Sequence, residues 1–271
     1  MRILFIGDIV GTPGVECVRQ AVPKLIAAEA LDLVIANAEN AVNGSGLTPA
    51  VYRRLRQAGV DVVTLGDHIY KKSDIISTLE KDDRICKPAN FPAEAPGQEY
   101  VLAAARGGTM VGVFALLGRT FMRPVDCPFR AADRVLEKLA GQTCCVILDM
   151  HAEATADKYL MGHFLKGRVS AVLGTHTHVP TADEQILAGG TAFISDVGMT
   201  GPYDSILGRR VDRVLSTTLT FVPTQFEVAT GDVRLAGAIV DLDTLSGKAT
   251  AIRRVMLTDV ELAAAPSQAT L

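Results

Sequence analysis

An α/β fold built on a mainly parallel sheet is what this sequence predicts, from three observations. Short apolar runs (Ile3–Ile6, Leu33–Ala36, Val62–Leu65, Cys145–Leu148 and Val169–Leu173) alternate with segments of helical apolar spacing (Gly14–Glu29, Thr48–Ala58, Ala131–Leu139 and Thr155–Leu165). The runs lack the polar alternation of a half-exposed strand, so they read as βαβ patterning, with helices over both faces of the sheet. Two regions break the rhythm. Tyr100–Leu117, with Gly107-Gly108 between two apolar runs, reads as a β-hairpin, and Thr224–Leu257, punctuated by Thr230-Gly231-Asp232 and Ser246-Gly247-Lys248, as antiparallel hairpins. They predict a second sheet packed against the first.

Local signals support the helices. Thr48 before Pro49 has the pattern of an N-cap with proline at the first helical position, and Pro23 predicts a kink in the first helix. The chain has 271 residues, 48% of them apolar, enough to bury a substantial core. No repeat or linker divides it, so a single domain is expected over 1–260, with a frayed tail over 261–271.

Composition narrows the function. Lys and Arg number 27 against 30 Asp and Glu, and the net charge of −3 offers no electrostatic footprint for duplex nucleic acid or an anionic membrane. A small anionic substrate stays compatible with it, because only the local field matters there. The opening apolar run is too short for a signal peptide, and no later stretch reaches spanning length, so no membrane partner is expected. Five cysteines without C-x-x-C spacing suggest neither a disulfide framework nor a zinc knuckle. Cytoplasmic thiols are the expectation, with Cys144-Cys145 as small hydrophobes opening an apolar run.

Metal-type residues fall where the apolar runs stop. The first ends in Gly7-Asp8, the second in Asn37-Ala38-Glu39-Asn40, the third in Gly66-Asp67-His68, and two later ones in Asp149-Met150-His151 and Gly174-Thr175-His176-Thr177-His178. In a parallel sheet these carboxyl ends share one edge, where open α/β proteins bind ligands. Each piece alone has an ordinary explanation: Asp8 as a helix cap, Glu39-Asn40 as a polar loop, His151 as a hydrogen-bonded strand end. Together they point to a metal site. Strand-like alternation would turn His176 and His178 the same way, and imidazoles mixed with carboxylates suit Mn, Fe, Co or Zn better than calcium. His163, inside a helical segment, is expected to be structural.

These residues resemble the calcineurin-like metallophosphoesterases and, within them, the YmdB-like branch of 2′,3′-cyclic-nucleotide phosphodiesterases. The resemblance covers nearly the whole chain. It is carried by Gly7–Gly11, Asn37–Asn40, Gly66–His68, Asp149–Thr155, Gly174–Val179 and Asp196–Gly201. It implies a four-layer αββα sandwich of two mixed sheets flanked by helices, and two divalent metal ions, iron or manganese before zinc, cobalt or magnesium. It also implies hydrolysis of a small phosphodiester, 2′,3′-cyclic nucleotides first, by a hydroxide held on the metals. The first ion would take Asp8, Asn40 and His178, the second Asp67, His151 and His176, with Glu39 bridging them. His68 would bind no metal and would act on the phosphoryl group or protonate the leaving ribose oxygen.

Three positions depart from the wider pattern. Val10 stands where the superfamily has a histidine, as is usual in this branch; Asp67 stands where asparagine is expected, and Lys71 where an acidic residue is. Other readings therefore stay open: a weakly active metal-binding regulatory or RNA-related protein, or a phosphomonoesterase or nuclease on the same site. Gly198–Asp204 could supply backbone donors or an aromatic face for a base, or simply a turn at the pocket rim. A homo-oligomer is compatible with the sequence, which does not set the assembly.

Overall fold

Apolar runs with no polar face become strands between helices. In chain order the elements are β1 (Arg2–Ile6), β2 (Asp8–Ile9), α1 (Gly11–Glu29), β3 (Leu33–Asn37), α2 (Pro49–Gln57), β4 (Val62–Thr64), α3 (Ile76–Lys81), β5 (Tyr100–Ala104) and β6 (Met110–Leu117). Then follow α4 (Pro128–Leu139), β7 (Cys145–His151), α5 (Thr155–Leu165), β8 (Ala171–Thr175), β9 (Gln185–Leu187), β10 (Thr191–Ile194), β11 (Met199–Pro202), α6 (Val211–Thr220), β12 (Val233–Leu242) and β13 (Ala249–Thr258). This computed structural model describes residues 1–258 and Glu261, and the tail expected over 261–271 lies, apart from Glu261, outside the described residues. Thr48 caps α2 through its hydroxyl, which accepts from Val51 N at 3.4 Å, with Pro49 opening the helix. Helix α1 runs through Pro23 to Glu29.

Among the described residues two mixed sheets result, of seven and six strands. In the first the order is β2-β11-β12-β1-β3-β4, with β13 also on β12; in the second it is β5-β6-β7-β8-β10-β9. The apolar runs do not share one sheet, as the sequence suggested. β1, β3 and β4 pair in parallel in the first, and β7 and β8 in the second. Each sheet also takes one of the hairpins the sequence predicted, β5-β6 turning at Gly107-Gly108 and β12-β13 at Ser246-Gly247, and the second sheet takes a further one, β9-β10. The reason is physical: a continuous apolar run reports burial on both faces but says nothing about the neighbouring strand. Thr230-Gly231-Asp232 leads into β12 and joins no pair of strands, and the segment before it stays irregular despite its β-branched and aromatic composition.

Three apolar clusters hold the elements together. Ile3, Phe5 and Ile35 of the first sheet meet Val113, Ile147 and Ile194 of the second in one cluster. On the first sheet Leu4, Ile6 and Val34 pack with Val18 and Val22 of α1 and Leu55 of α2. On the second, Phe114, Leu148 and Val172 pack with Val135 of α4 and Met161 of α5. Alternate residues of one strand thus enter different clusters, as the pleat requires. Among the described residues no helix is long and apolar enough to cross a membrane.

Ile147 has no exposed surface and lies between the two sheets. Ile147→Ala should lower stability by about 2–5 kcal/mol through lost burial and a residual cavity. Urea denaturation should register this as an earlier midpoint with an unchanged slope.

Candidate metal centre

Strand ends from both sheets bring the polar residues together. Asp8, Glu39, Asn40, Asp67 and His68 follow β1, β3 and β4, while His151 ends β7 and His176 and His178 follow β8. Ligand atoms of Glu39, Asp67, His151 and His176 all lie within 4.8 Å of one another, a cluster able to hold a metal ion. His151 Nε2 stands 3.2 Å from Glu39 Oε1 and 3.3 Å from Asp67 Oδ1, and His176 Nδ1 stands 3.0 Å from His151 Nε2 and 3.6 Å from Asp67 Oδ1. A second group adjoins it. His178 Nε2 lies 3.7 Å from Asp8 Oδ1 and 3.2 Å from Asn40 Nδ2, and Asn40 Nδ2 lies 3.3 Å from Glu39 Oε1.

Two observations test whether these residues suit a cation. Asp8 is fully buried, and its Oδ1 has no hydrogen-bond partner, an orphaned anionic oxygen that a cation would satisfy. A Cβ on Gly66 would come within 2.3 Å of His151 Nε2 and 2.4 Å of Glu39 Oε2, so glycine there keeps the ligand atoms uncovered. Asn40 fits on one condition. Its Nδ2 faces His178 while its Oδ1 accepts from His68 Nδ1 at 2.7 Å, so ligation through oxygen needs the amide turned over.

The surroundings set the imidazole tautomers. Thr175 donates its one hydroxyl proton to Asp149 Oδ1 at 2.6 Å, so its oxygen accepts from His151 Nδ1–H at 2.9 Å and Nε2 is left facing Glu39 and Asp67. Asp149 also accepts from Thr64 Oγ1 at 2.6 Å and Asn37 Nδ2 at 2.9 Å. For His178, Nδ1–H donates to Leu207 O at 3.1 Å, which again leaves Nε2 for the cluster. His176 reverses the pattern: Nδ1 faces the cluster, and Nε2 sits 3.3 Å from Glu153 Oε2. Second partners of this kind orient metal-binding histidines.

Electrostatics follow from the crowding. Burial pushes Glu39 up, but the imidazoles of His151 and His68 outweigh it and hold the carboxyl well below its usual range. Burial would lower His151, and the carboxylates of Glu39 and Asp67 raise it well above normal instead. Asp149 is pushed up to about 6 by burial, against the opposing pull of His151 and the Thr175 and Thr64 hydroxyls.

All eight residues singled out from sequence converge here, with some reasons corrected. His176 and His178 are not strand residues; their φ angles of 95° and 65° are left-handed, and the turn sends one ring to each group. His163 is exposed on α5. Gly198–Asp204 does not line the cavity beside the cluster: Met199–Pro202 form β11, and Tyr203 donates its hydroxyl to Met199 O at 3.0 Å. Lys71 is exposed, does not line that cavity, and donates its backbone N–H to His68 O at 2.9 Å. Sequence reasoning assigned no role to Asn37, Asp149, Glu153 or Thr175. For Asn37, Asp149 and Thr175 the signal was a polar residue at or inside the end of an otherwise apolar strand, and for Glu153 a carboxylate two places past His151.

Known proteins place the chain. The family model described as YmdB-like protein matches residues 4–255. A 2′,3′-cyclic-nucleotide 2′-phosphodiesterase from Bacillus subtilis (strain 168) is 44% identical over 259 residues, spanning 96% of this chain and 98% of that protein. A hypothetical protein of known structure from Thermus thermophilus superposes with a TM-score of 0.89 at 41% identity, covering 95% and 99% of the two chains. A crystal structure described as a novel phosphatase from Mycoplasma pneumoniae gives 0.88 at 28% identity, covering 95% and 93%.

Replacing Thr175 by valine removes the acceptor for His151 Nδ1–H and a donor to Asp149 at nearly constant volume. Affinity for Mn²⁺, measured by competition with a fluorescent chelator, should fall about 10–100-fold. Unchanged affinity would mean that the hydroxyl does not orient the ring.

Proposed function

The chain belongs to the YmdB-like protein family, and from that premise we propose that it is a phosphodiesterase hydrolysing 2′,3′-cyclic nucleotides at a centre for two divalent ions. One observation carries the reading: two adjoining ligand groups share Glu39 and border a cavity of about 370 Å³ lined by Glu39, Asn40, His68, His176 and His178. Asp8, Asn40 and His178 would hold one ion and Asp67, His151 and His176 the other, with Glu39 available to both. Iron or manganese suits this oxygen and imidazole set best, with zinc, cobalt and magnesium as weaker candidates. Bound ions would supply Lewis acidity to the phosphoryl oxygens and lower the pKa of water at the site.

The chain's own residues do the rest. With the Asn40 amide turned over as ligation requires, its Nδ2 donates to His68 Nδ1, the ring proton sits on Nε2, and that proton goes to the leaving ribose oxygen. Asp67, with its side chain a quarter exposed, places its Oδ2 3.8 Å from His68 Nε2. The three apolar clusters support a four-layer αββα sandwich, and the family match supports one domain over 1–260. Cysteines outside any disulfide among the described residues, with Cys86 and Cys145 buried, favour a reducing cytoplasmic setting, and the near-neutral charge favours a small substrate over duplex nucleic acid.

Protein purified without chelator should carry about two transition-metal ions by elemental analysis and turn over a 2′,3′-cyclic nucleotide, with activity lost on stripping and restored by Mn²⁺. Turnover of monoesters or short RNA alone would refute the assignment. His68→Ala should keep the metal while kcat drops about 10²–10⁴-fold. Metal loss along with activity would make His68 a ligand.

A further inference from the structure

The cavity beside the ligand cluster has a second wall that chemistry at phosphorus does not use. Besides the polar residues it is lined by Ile206, Leu207, Val214 and Phe226, together with Arg209. Ile206, Leu207 and Phe226 are 41%, 50% and 41% exposed, an apolar surface kept open beside a polar centre. Arg209 is engaged with the backbone of two loops. Its guanidinium donates to Asn43 O at 2.8 Å, to Phe226 O at 3.0 Å and to Gly44 O, tying the loop after Glu39-Asn40 to the wall.

Leu207 carries the clearest sign of purpose. Ile206–Arg209 is a two-residue turn closed by Ile206 N→Arg209 O at 2.8 Å and Arg209 N→Ile206 O at 2.9 Å, with φ of 52° at Leu207 and 92° at Gly208. Such φ values belong to a type I′ turn, whose first position is normally Asn, Asp or Gly. A leucine there is strained, and its carbonyl is the acceptor that orients His178. The turn therefore spends stability to hold an apolar side chain beside the metal cluster.

We propose that this wall seats the nucleobase of the substrate by apolar contact, so that the enzyme accepts cyclic nucleotides with little discrimination among bases. The inference rests on the phosphodiesterase reading above. With the phosphate at the cluster, the base is the part of a cyclic nucleotide left to fill the rest of the cavity, and a base presents an aromatic face that suits Phe226 and the aliphatic side chains. None of these four side chains offers a hydrogen-bond donor or acceptor, and discrimination among bases needs such groups at the base edges.

The test compares the 2′,3′-cyclic phosphates of adenosine, guanosine, cytidine and uridine with methyl riboside 2,3-cyclic phosphate, which lacks a base. The metal-loaded enzyme should show kcat/KM values for the four nucleotides within about tenfold of one another, and a preference for each over the base-free ester of about tenfold or more. Leu207→Asn suits the turn at least as well as leucine, so it should fold, keep its metal and show an unchanged or higher Tm, while that preference shrinks toward one. Phe226→Ala should shrink it likewise. Preserved preference in both variants at full metal content would overturn the proposal, as would strong selection of a single base. Turnover of the base-free ester with none of the nucleotides would overturn it while sparing the diesterase chemistry; turnover of no cyclic phosphate would remove both.

Discussion

Burying an ionised carboxylate costs several kcal/mol unless partners replace its lost water, and Glu39, with no exposed surface, finds those partners on both sheets. Its Oε1 faces His151 Nε2 at 3.2 Å across the sheet interface, and its Oε2 accepts from His68 N at 2.9 Å within its own sheet. The backbone that delivers it is held by Asn37, whose Oδ1 accepts from Glu39 N at 3.1 Å while its Nδ2 reaches Asp149 on the second sheet. One buried polar network therefore stitches the two sheets at the end where their strands stop. Its geometry is what makes the two ligand groups adjoin.

The return loop after β8 shows what that geometry costs. His176 and His178 both adopt left-handed conformations, unfavourable for residues with a Cβ, and the neighbours over-determine them. Asp8 Oδ2 accepts from His176 N at 3.0 Å, and Asp196 Oδ2 accepts from Thr177 N at 3.2 Å and from its hydroxyl at 2.6 Å. Asp196 is in turn paired with Lys158 Nζ at 2.7 Å, a contact with both side chains almost wholly buried. A buried ion pair seldom raises stability over an apolar packing of the same volume. Here the pair fixes a loop that carries two imidazoles, so its value lies in position.

The strand ends were legible because chemistry and periodicity coincide there: an apolar run that stops at Gly-Asp, Glu-Asn or His-x-His has no packing reason to do so. Helix α5 was legible to the residue, since Thr155–Leu165 keeps its spacing to the end. Partition of the strands between sheets was not, because β1 and β7 are both continuous apolar runs and only their pairing in the fold distinguishes them. Strands β9 to β11 were hidden by their brevity. Helix α6 went unnoticed although Val211, Val214, Leu215 and Leu219 recur at helical spacing; none of these residues is buried, so the stripe covers no core. The cavity wall was invisible as well, as Leu207 and Phe226 are ordinary apolar residues until the fold sets them beside His178.

Charge is the constraint that the ligand set leaves to be balanced. Asp8, Glu39 and Asp67 contribute three negative charges when ionised, and the neutral imidazoles and Asn40 contribute none. Two divalent ions bring four positive charges, and four minus three leaves one, before solvent and substrate are counted. A phosphodiester carries one negative charge, whereas the monoester formed from it approaches two above pH about 6. With asparagine at 67, as the family resemblance implies, the excess would be two, matched to the product. With two such ions bound, the carboxylate of Asp67 would shift the match from product toward substrate, at the expense of Lewis acidity. Lys71 does not undo this, because it is exposed and stands outside the cavity lining, where solvent and salt screen its charge.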